Sequence, residues 1–251
     1  MTDFSRHLNP EQLAAATAAD GPLLILAAAG TGKTRTLAYR VAYLVEQGIA
    51  ARNILLLTFT NRAAGEMLER AREIAGEQVG GIWGGTFHHV ANRLLRRHAP
   101  LLGYPNDFTI LDADEQKGIV AALMKAKGLT AKEFMKKEVL LGLVSHARNR
   151  RQDLHDFLED RIDALEVDPA QIVAIAREYE NRKGELKAMD FDDLLINALR
   201  LLREHEEVRL AYQRQFRHVL VDEFQDTNIL QAEFTEMLAR EHGNLSVVGD
   251  D

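Results

Sequence analysis

Residues 23–34, LLILAAAGTGKT, join a short apolar run to a glycine-containing loop, and helical periodicity then runs through residue 46. Few architectures accommodate that order. A strand that turns through such a loop into a helix gathers backbone N–H groups at the positive end of the helix, where they can surround phosphate oxygens. Gly30 and Gly32 permit the turn, Lys33 reaches the outer phosphates, and Thr34 offers a hydroxyl to Mg²⁺. The strict phosphate-loop pattern has glycine where this chain has Ala27. Alanine suits any loop position of negative φ, so the exchange weakens the pattern more than the physics. Taken alone, Gly-Lys-Thr also occurs by chance in surface loops.

A second stretch removes most of that ambiguity. VLVDEFQDTN delivers Asp222 and Glu223 at the carboxyl end of an apolar strand, which is where open parallel sheets bind ligands. One carboxylate can hold Mg²⁺ while its neighbour orients and polarises an attacking water. An Asp-Glu pair at a strand end is ordinarily just solvated; beside a phosphate loop it reads as a hydrolysis centre.

The remaining pattern predicts how these pieces are framed. Strands are expected at 23–27, 54–59, 82–87, 218–222 and 245–248, and helices at 34–46, 61–75, 88–98 and 229–241. That alternation implies a parallel sheet with helices on both faces. Asn9-Pro10-Glu11-Gln12 reads as a helix start with a capping box. Between about 112 and 207 only helical periodicity is found, at 115–127, 137–149, 169–183 and 190–205. The expected organisation is an α/β domain formed by 1–111 and 190–251, with an all-helical subdomain, 112–189, inserted into it.

Composition narrows the setting. The chain has no cysteine, which excludes disulfides and thiolate metal sites. Its start lacks the basic and apolar regions of a signal peptide and no apolar run spans a bilayer, so no membrane is expected and the cytoplasm is the default location. The net charge of −7 argues weakly against nucleic acid, but it hides an asymmetry. Residues 117–151 carry nine Lys/Arg against two acids, whereas 152–193 carry thirteen acids against five bases. Such a basic run reads equally as a solvated helical face or as a surface for a polyanion.

Several segments together resemble the N-terminal half of superfamily 1 DNA helicases of the UvrD/Rep/PcrA type, from Leu8 to the last residue. LNPEQ resembles the Q motif of that family, AAAGTGKTR its first motif (with Ala28 in place of the usual glycine), and ILLLTFTNRAAGEM motif Ia, with Arg62 where lysine is common. GTFHHVANRLLRRHA resembles motif Ib, with His89 where serine is frequent, and DFTILD and MDFDDLL resemble the segments flanking the inserted helical domain 1B. DEFQDTN is close to diagnostic, and VVGDD begins motif III, within which the sequence stops.

The resemblance implies a RecA-like P-loop NTPase fold and an ATP site made of Gln12, Ala28, Ala29, Gly30, Thr31, Gly32, Lys33, Thr34 and Arg35. Gln12 would read the adenine edge and Arg35 would lie against the adenine and ribose. Lys33, Asp222 and Glu223 would be catalytic, with Mg²⁺ on Thr34 and Asp222. A groove for single-stranded DNA is implied at Thr58, Phe59, Thr60, Asn61, Arg62, Thr86 and His88, where Phe59 offers a ring face to a base. By pattern alone Phe59 reads as a core aromatic and His88 as a satisfied histidine near a helix start. Lys132, Lys136, Lys137, Arg148, Arg150 and Arg151 would lie along duplex DNA ahead of a single-strand/double-strand junction.

The implied activity is that of an ATP-dependent 3′–5′ DNA helicase. In the family a second RecA-like domain supplies arginines to the transferring phosphate, and loss of such an arginine lowers turnover by a factor of roughly 10³ to 10⁵. This chain is therefore expected to bind ATP·Mg²⁺ with little hydrolysis, the C-terminal half of the parent enzyme being missing. Other readings are a nucleotide-gated single-stranded DNA-binding module without catalysis and the motor portion of a helicase–nuclease subunit. A P-loop kinase has the least support, since no segment resembles a lid or an acceptor site.

Overall fold

A computed structural model describes residues 3–28, 30–130, 134–161 and 167–250. In chain order its elements are α1 (Pro10–Ala16), β1 (Leu23–Leu26), α2 (Lys33–Glu46), β2 (Ile54–Thr58), α3 (Asn61–Ala75), β3 (Trp83–Thr86), α4 (Phe87–His98) and β4 (Thr109–Ile110). They continue with α5 (Ala113–Ala126), α6 (Lys137–Asn149), α7 (Leu154–Glu159), α8 (Pro169–Leu186), β5 (Ala188–Met189) and α9 (Phe191–Glu204). The last are α10 (Glu206–Gln215), β6 (His218–Val221), α11 (Ile229–Ala239) and β7 (Leu245–Gly249). No helix among the described residues is long and apolar enough to cross a membrane.

Residue contacts divide the chain into two compact units. One comprises 1–93, 200–227 and 231–251; the other comprises 94–199 and 228–230. These divisions fall inside α4 and α9, whereas the sequence reading placed them at 111/112 and 189/190.

The first unit is built on a five-stranded sheet of order β1-β7-β6-β2-β3, parallel at every pairing. Strands β2 and β6 are buried along their whole length, which is why ILLLT and HVLV are apolar runs rather than alternating patterns. Leu37, Val41 and Leu44 of α2 pack with Leu56 of β2, Met67 and Ala71 of α3, Leu220 and Val248. Full burial of each such side chain stabilises by about 1.5–3 kcal/mol. A separate aromatic group joins Trp83 to Phe216 at 5.2 Å between ring centroids, with Tyr212 stacked on Phe216. Strand β1 is an edge of this sheet among the described residues, with Leu24 and Leu26 more than half exposed.

Register decides what this sheet can position. Leu26 lies opposite Gly249, and Val247 lies opposite Val221, so β7 runs between the strand that feeds the glycine loop and the strand that delivers Asp222. Three loops far apart in sequence thus emerge side by side at the carboxyl edge.

The second unit packs α5, α6, α7 and α8 around Val120, Met124, Leu140, Val144, Phe157, Leu158, Ile172 and Ile175. Helices α5 and α8 start where their caps dictate. Asp112 accepts from the backbone of Asp114 and Glu115 while Glu115 reaches back in a capping box, and Asp168 caps α8 ahead of Pro169. Three short elements went unrecognised in the sequence. Ala188–Met189 pairs in parallel with Thr109–Ile110, too short a run to register as a strand, and α7 has only six residues. In the first unit, α10 was missed because its mostly polar face carries little periodicity.

Candidate functional site

The glycine loop owes its shape to its sequence. Gly30 and Gly32 take φ of +80° and +89°, where a side chain is strained, and a Cβ on Gly32 would come within 3.0 Å of Gln12 Nε2. Neither Ala27 nor Ala28 has positive φ, and the Ala27 N–H extends the β1–β7 ladder by donating to the Gly249 carbonyl at 3.2 Å. Alanine is therefore tolerated at these positions. Ala29 lies outside the described residues.

Gln12 pins the loop from α1. Its Oε1 accepts from the Asn9 N–H as the second half of the capping box, and its Nε2 donates to the Thr31 carbonyl at 2.9 Å. Thr31 closes the turn through a hydroxyl donated to Ala28 O at 2.7 Å. The exposed Arg35 donates to His7 O at 2.6 Å and lies 5.7 Å from the Tyr39 ring.

Lys33 opens α2 and is buried, 7% exposed, with carboxylates around its ammonium. Nζ forms an ion pair with Asp250 and lies 3.9 Å from Glu223 Oε2. The Thr34 hydroxyl is 3.4 Å from Asp222 Oδ2. Asp222 itself is 3% exposed, and its Oδ1 has no hydrogen-bond partner. Burial, reinforced by the charge of Glu223, raises its pKa above the ordinary carboxylate value. An unsatisfied, desolvated carboxylate oxygen beside a threonine hydroxyl is a hard-oxygen donor set suited to Mg²⁺. Glu223 adopts a left-handed backbone, φ +51°, unusual for a residue with a side chain. Its carboxylate accepts a hydrogen bond from Gln225 Nε2 at 2.6 Å.

The residues assigned to a DNA groove lie on the loops after β2 and β3. Phe59 is half-buried and meets Phe87 edge-on at 5.7 Å, leaving part of its ring accessible. Thr60, Asn61 and Arg62 are exposed. Thr60 caps α3 by accepting from the Ala63 N–H, and Arg62 pairs with Glu66 at 2.7 Å. Thr58 is buried and donates its hydroxyl to Thr60 O, so its side chain shapes the loop from within. Thr86 accepts from the His89 N–H at 3.2 Å, and His88 is half-buried.

The whole stretch from residue 8 to 251 matches the profile of the UvrD/REP helicase N-terminal domain. The chain belongs to the UvrD/REP helicase family. Among curated relatives it is 37% identical over 251 residues to the ATP-dependent DNA helicase PcrA of Staphylococcus aureus, and 36% identical to that of Staphylococcus epidermidis. These alignments cover all of this chain and 34% of each relative, so it spans about a third of their length.

Within this UvrD/REP family domain, two groups at the site went unnoticed in the sequence. Asp250 is the first aspartate of VVGDD and carries the ion pair to Lys33, a contact visible only once β7 is seen beside β1. Gln225 is hidden inside DEFQDTN, where the acids draw attention first. In the helical unit, Phe191 exposes 59% of its surface at the first position of α9. The basic run is partly corrected: Arg148 is held internally by Asp190, Asp193 and Glu180 and is not a surface cation. Lys132 lies outside the described residues.

Proposed function

We propose that this chain is the ATP-binding N-terminal portion of an ATP-dependent 3′–5′ DNA helicase acting on single-stranded DNA and its junctions with duplex. The observation that carries the reading is the convergence of Lys33, Thr34, Asp222 and Glu223 from two stretches 188 residues apart. The curated relatives, named as ATP-dependent DNA helicases, support it.

In this reading the N–H groups at the start of α2 and the ammonium of Lys33 hold the phosphates, with Ala28 to Thr31 shaping the cradle. Gln12 and Arg35 border the base and ribose. Thr34 and Asp222 hold Mg²⁺, which when bound neutralises charge on the phosphate oxygens. Glu223 orients a water whose oxygen attacks the γ-phosphorus, and takes its proton as the bond to the ADP oxygen breaks and ADP leaves with the electron pair. The loops after β2 and β3 bear the strand, with Phe59 stacking on a base and Thr60, Asn61, Arg62, Thr86 and His88 meeting phosphate or sugar. Thr58 supports that loop from beneath. The sequence limits 1–111, 112–189 and 190–251 are proposed as the evolutionary boundaries of the two domains, and a cytoplasmic setting is proposed with them.

The experiment is steady-state ATP hydrolysis by this chain with and without single-stranded oligonucleotide. The expected result is Mg²⁺-dependent ATP binding with slow turnover that DNA stimulates. Tight binding with no turnover under either condition would instead favour a nucleotide-gated DNA-binding module.

A further inference from the structure

Glu223 alone does not account for its own placement. It sits on a left-handed backbone with a partly exposed carboxylate, and a side chain so placed has freedom that proton transfer does not tolerate. Its partner is the amide of Gln225, which is engaged at both ends. Nε2 donates to Glu223 Oε2 at 2.6 Å, and Oε1 accepts from the Asp250 N–H at 3.1 Å. A Cβ built on Gly249 would stand 3.0 Å from that same Oε1, so the glycine leaves room for the amide to approach the end of β7 closely. The Asp250 carboxylate pairs with Lys33, whose Nζ faces Glu223 Oε2 at 3.9 Å. Glu223, Gln225, Asp250 and Lys33 therefore form a closed ring of polar contacts.

We propose that Gln225 is a positioning residue for ATP hydrolysis: one amide fixes the Glu223 carboxylate and ties it to the Gly249–Asp250 backbone. The inference rests on the reading of Lys33, Asp222 and Glu223 as a hydrolysis centre. Its consequence is specific. A phosphate that takes Lys33 away from Asp250 releases the end of β7, and Gln225 carries that displacement to the base. An amide suits the task because it donates at one end and accepts at the other, with no charge of its own to compete for Lys33.

The test compares Gln225→Met, which keeps the length and loses both hydrogen bonds, with Gln225→Glu, which keeps the acceptor and loses the donor. Single-turnover hydrolysis is measured with this chain in excess over ATP·Mg²⁺, alongside the affinity for a fluorescent ATP analogue. Gln225→Met is expected to slow the chemical step about 10- to 100-fold, part of what a general base contributes, while affinity stays within about twofold. Gln225→Glu is expected to recover rate relative to the wild-type chain as pH falls, because protonation of the introduced carboxyl restores a donor. A purely structural role would not produce that pH dependence. In parallel, the nitrogen-bound proton NMR signals of the Gln225 side chain are expected to shift on Glu223→Ala and again on saturation with a non-hydrolysable ATP analogue.

A wild-type rate in Gln225→Met, an equal loss of rate and affinity, or side-chain signals indifferent to Glu223→Ala would each overturn the proposal. Lys33→Ala, measured in the same series, separates the two levels. Unchanged analogue affinity there defeats the nucleotide site itself, whereas lost affinity there with a full rate in Gln225→Met defeats only the role of Gln225.

Discussion

Two charged clusters, one in each unit, use nearly the same residue types to opposite ends. In the helical unit Lys183 is 2% exposed, and its ammonium meets Asp190 at 2.5 Å, Asp193 at 2.7 Å and Glu180 at 3.1 Å, using all three of its donors. Arg148 reaches the same three carboxylates, and the Tyr179 hydroxyl donates to Asp190 at 3.1 Å. Burial pushes the Asp190 carboxyl up, but Lys183 and Arg148 outweigh it and hold the pKa below the ordinary range. At the proposed nucleotide site, Lys33 has a comparable carboxylate environment, yet Asp222 keeps an unpartnered oxygen and a raised pKa. A satisfied buried network fixes a structure; one left incomplete holds free energy in reserve for a ligand.

The contrast makes predictions of opposite sign. Lys183→Met leaves three carboxylates facing one guanidinium, and urea unfolding should show a loss of about 3–5 kcal/mol. A loss below about 1 kcal/mol would show that solvent already screens the cluster. Next in size, Phe59→Ala should weaken oligonucleotide binding by about 1–3 kcal/mol, alike for every sequence. A loss confined to one sequence, read by fluorescence anisotropy, would mean that the ring is not a stacking platform.

The smallest effect is the most diagnostic. Because the folded-state pKa of Asp222 is raised, ionising it costs the folded protein stability at neutral pH, and Asp222→Asn should stabilise the Mg²⁺-free chain by about 1 kcal/mol while weakening Mg²⁺-dependent nucleotide binding. That advantage should vanish as pH falls through the raised pKa. The lowered pKa of Asp190 works the other way: its contribution is present above the unfolded value of 3.8 and is lost as pH falls through the folded one. Thermal melts of Asp222→Asn and Asp190→Asn across acidic pH should therefore diverge from the wild type in opposite directions.

Much of this was legible in the chain and some was not, for physical reasons. Helices 61–75 and 137–149 and the ends of the central strands follow from periodicity, because that signal is local. Asn9 and Gln12 form the capping box that their spacing implies. Lys33 and Asp222 stood out as candidates because the phosphate and metal binding proposed for them demands particular residues at particular strand ends. Asp250 and Gln225 did not, since their roles exist only through the order β1-β7-β6, a property of pairing rather than of any segment. Arg148 was misread for the complementary reason: its acidic partners lie 32 to 45 residues away, and a linear charge count cannot see them.

The claim beneath all of this is that the loop at Lys33 and the acidic pair at 222–223 form one nucleotide site. Calorimetric titration of the wild type and of Lys33→Ala with a non-hydrolysable ATP analogue, with and without Mg²⁺, tests it most directly. Removing a buried ammonium from its anionic ligand should lower affinity at least about 100-fold with the melting temperature preserved. Equal affinities for the two proteins, or wild-type binding indifferent to Mg²⁺, would contradict it.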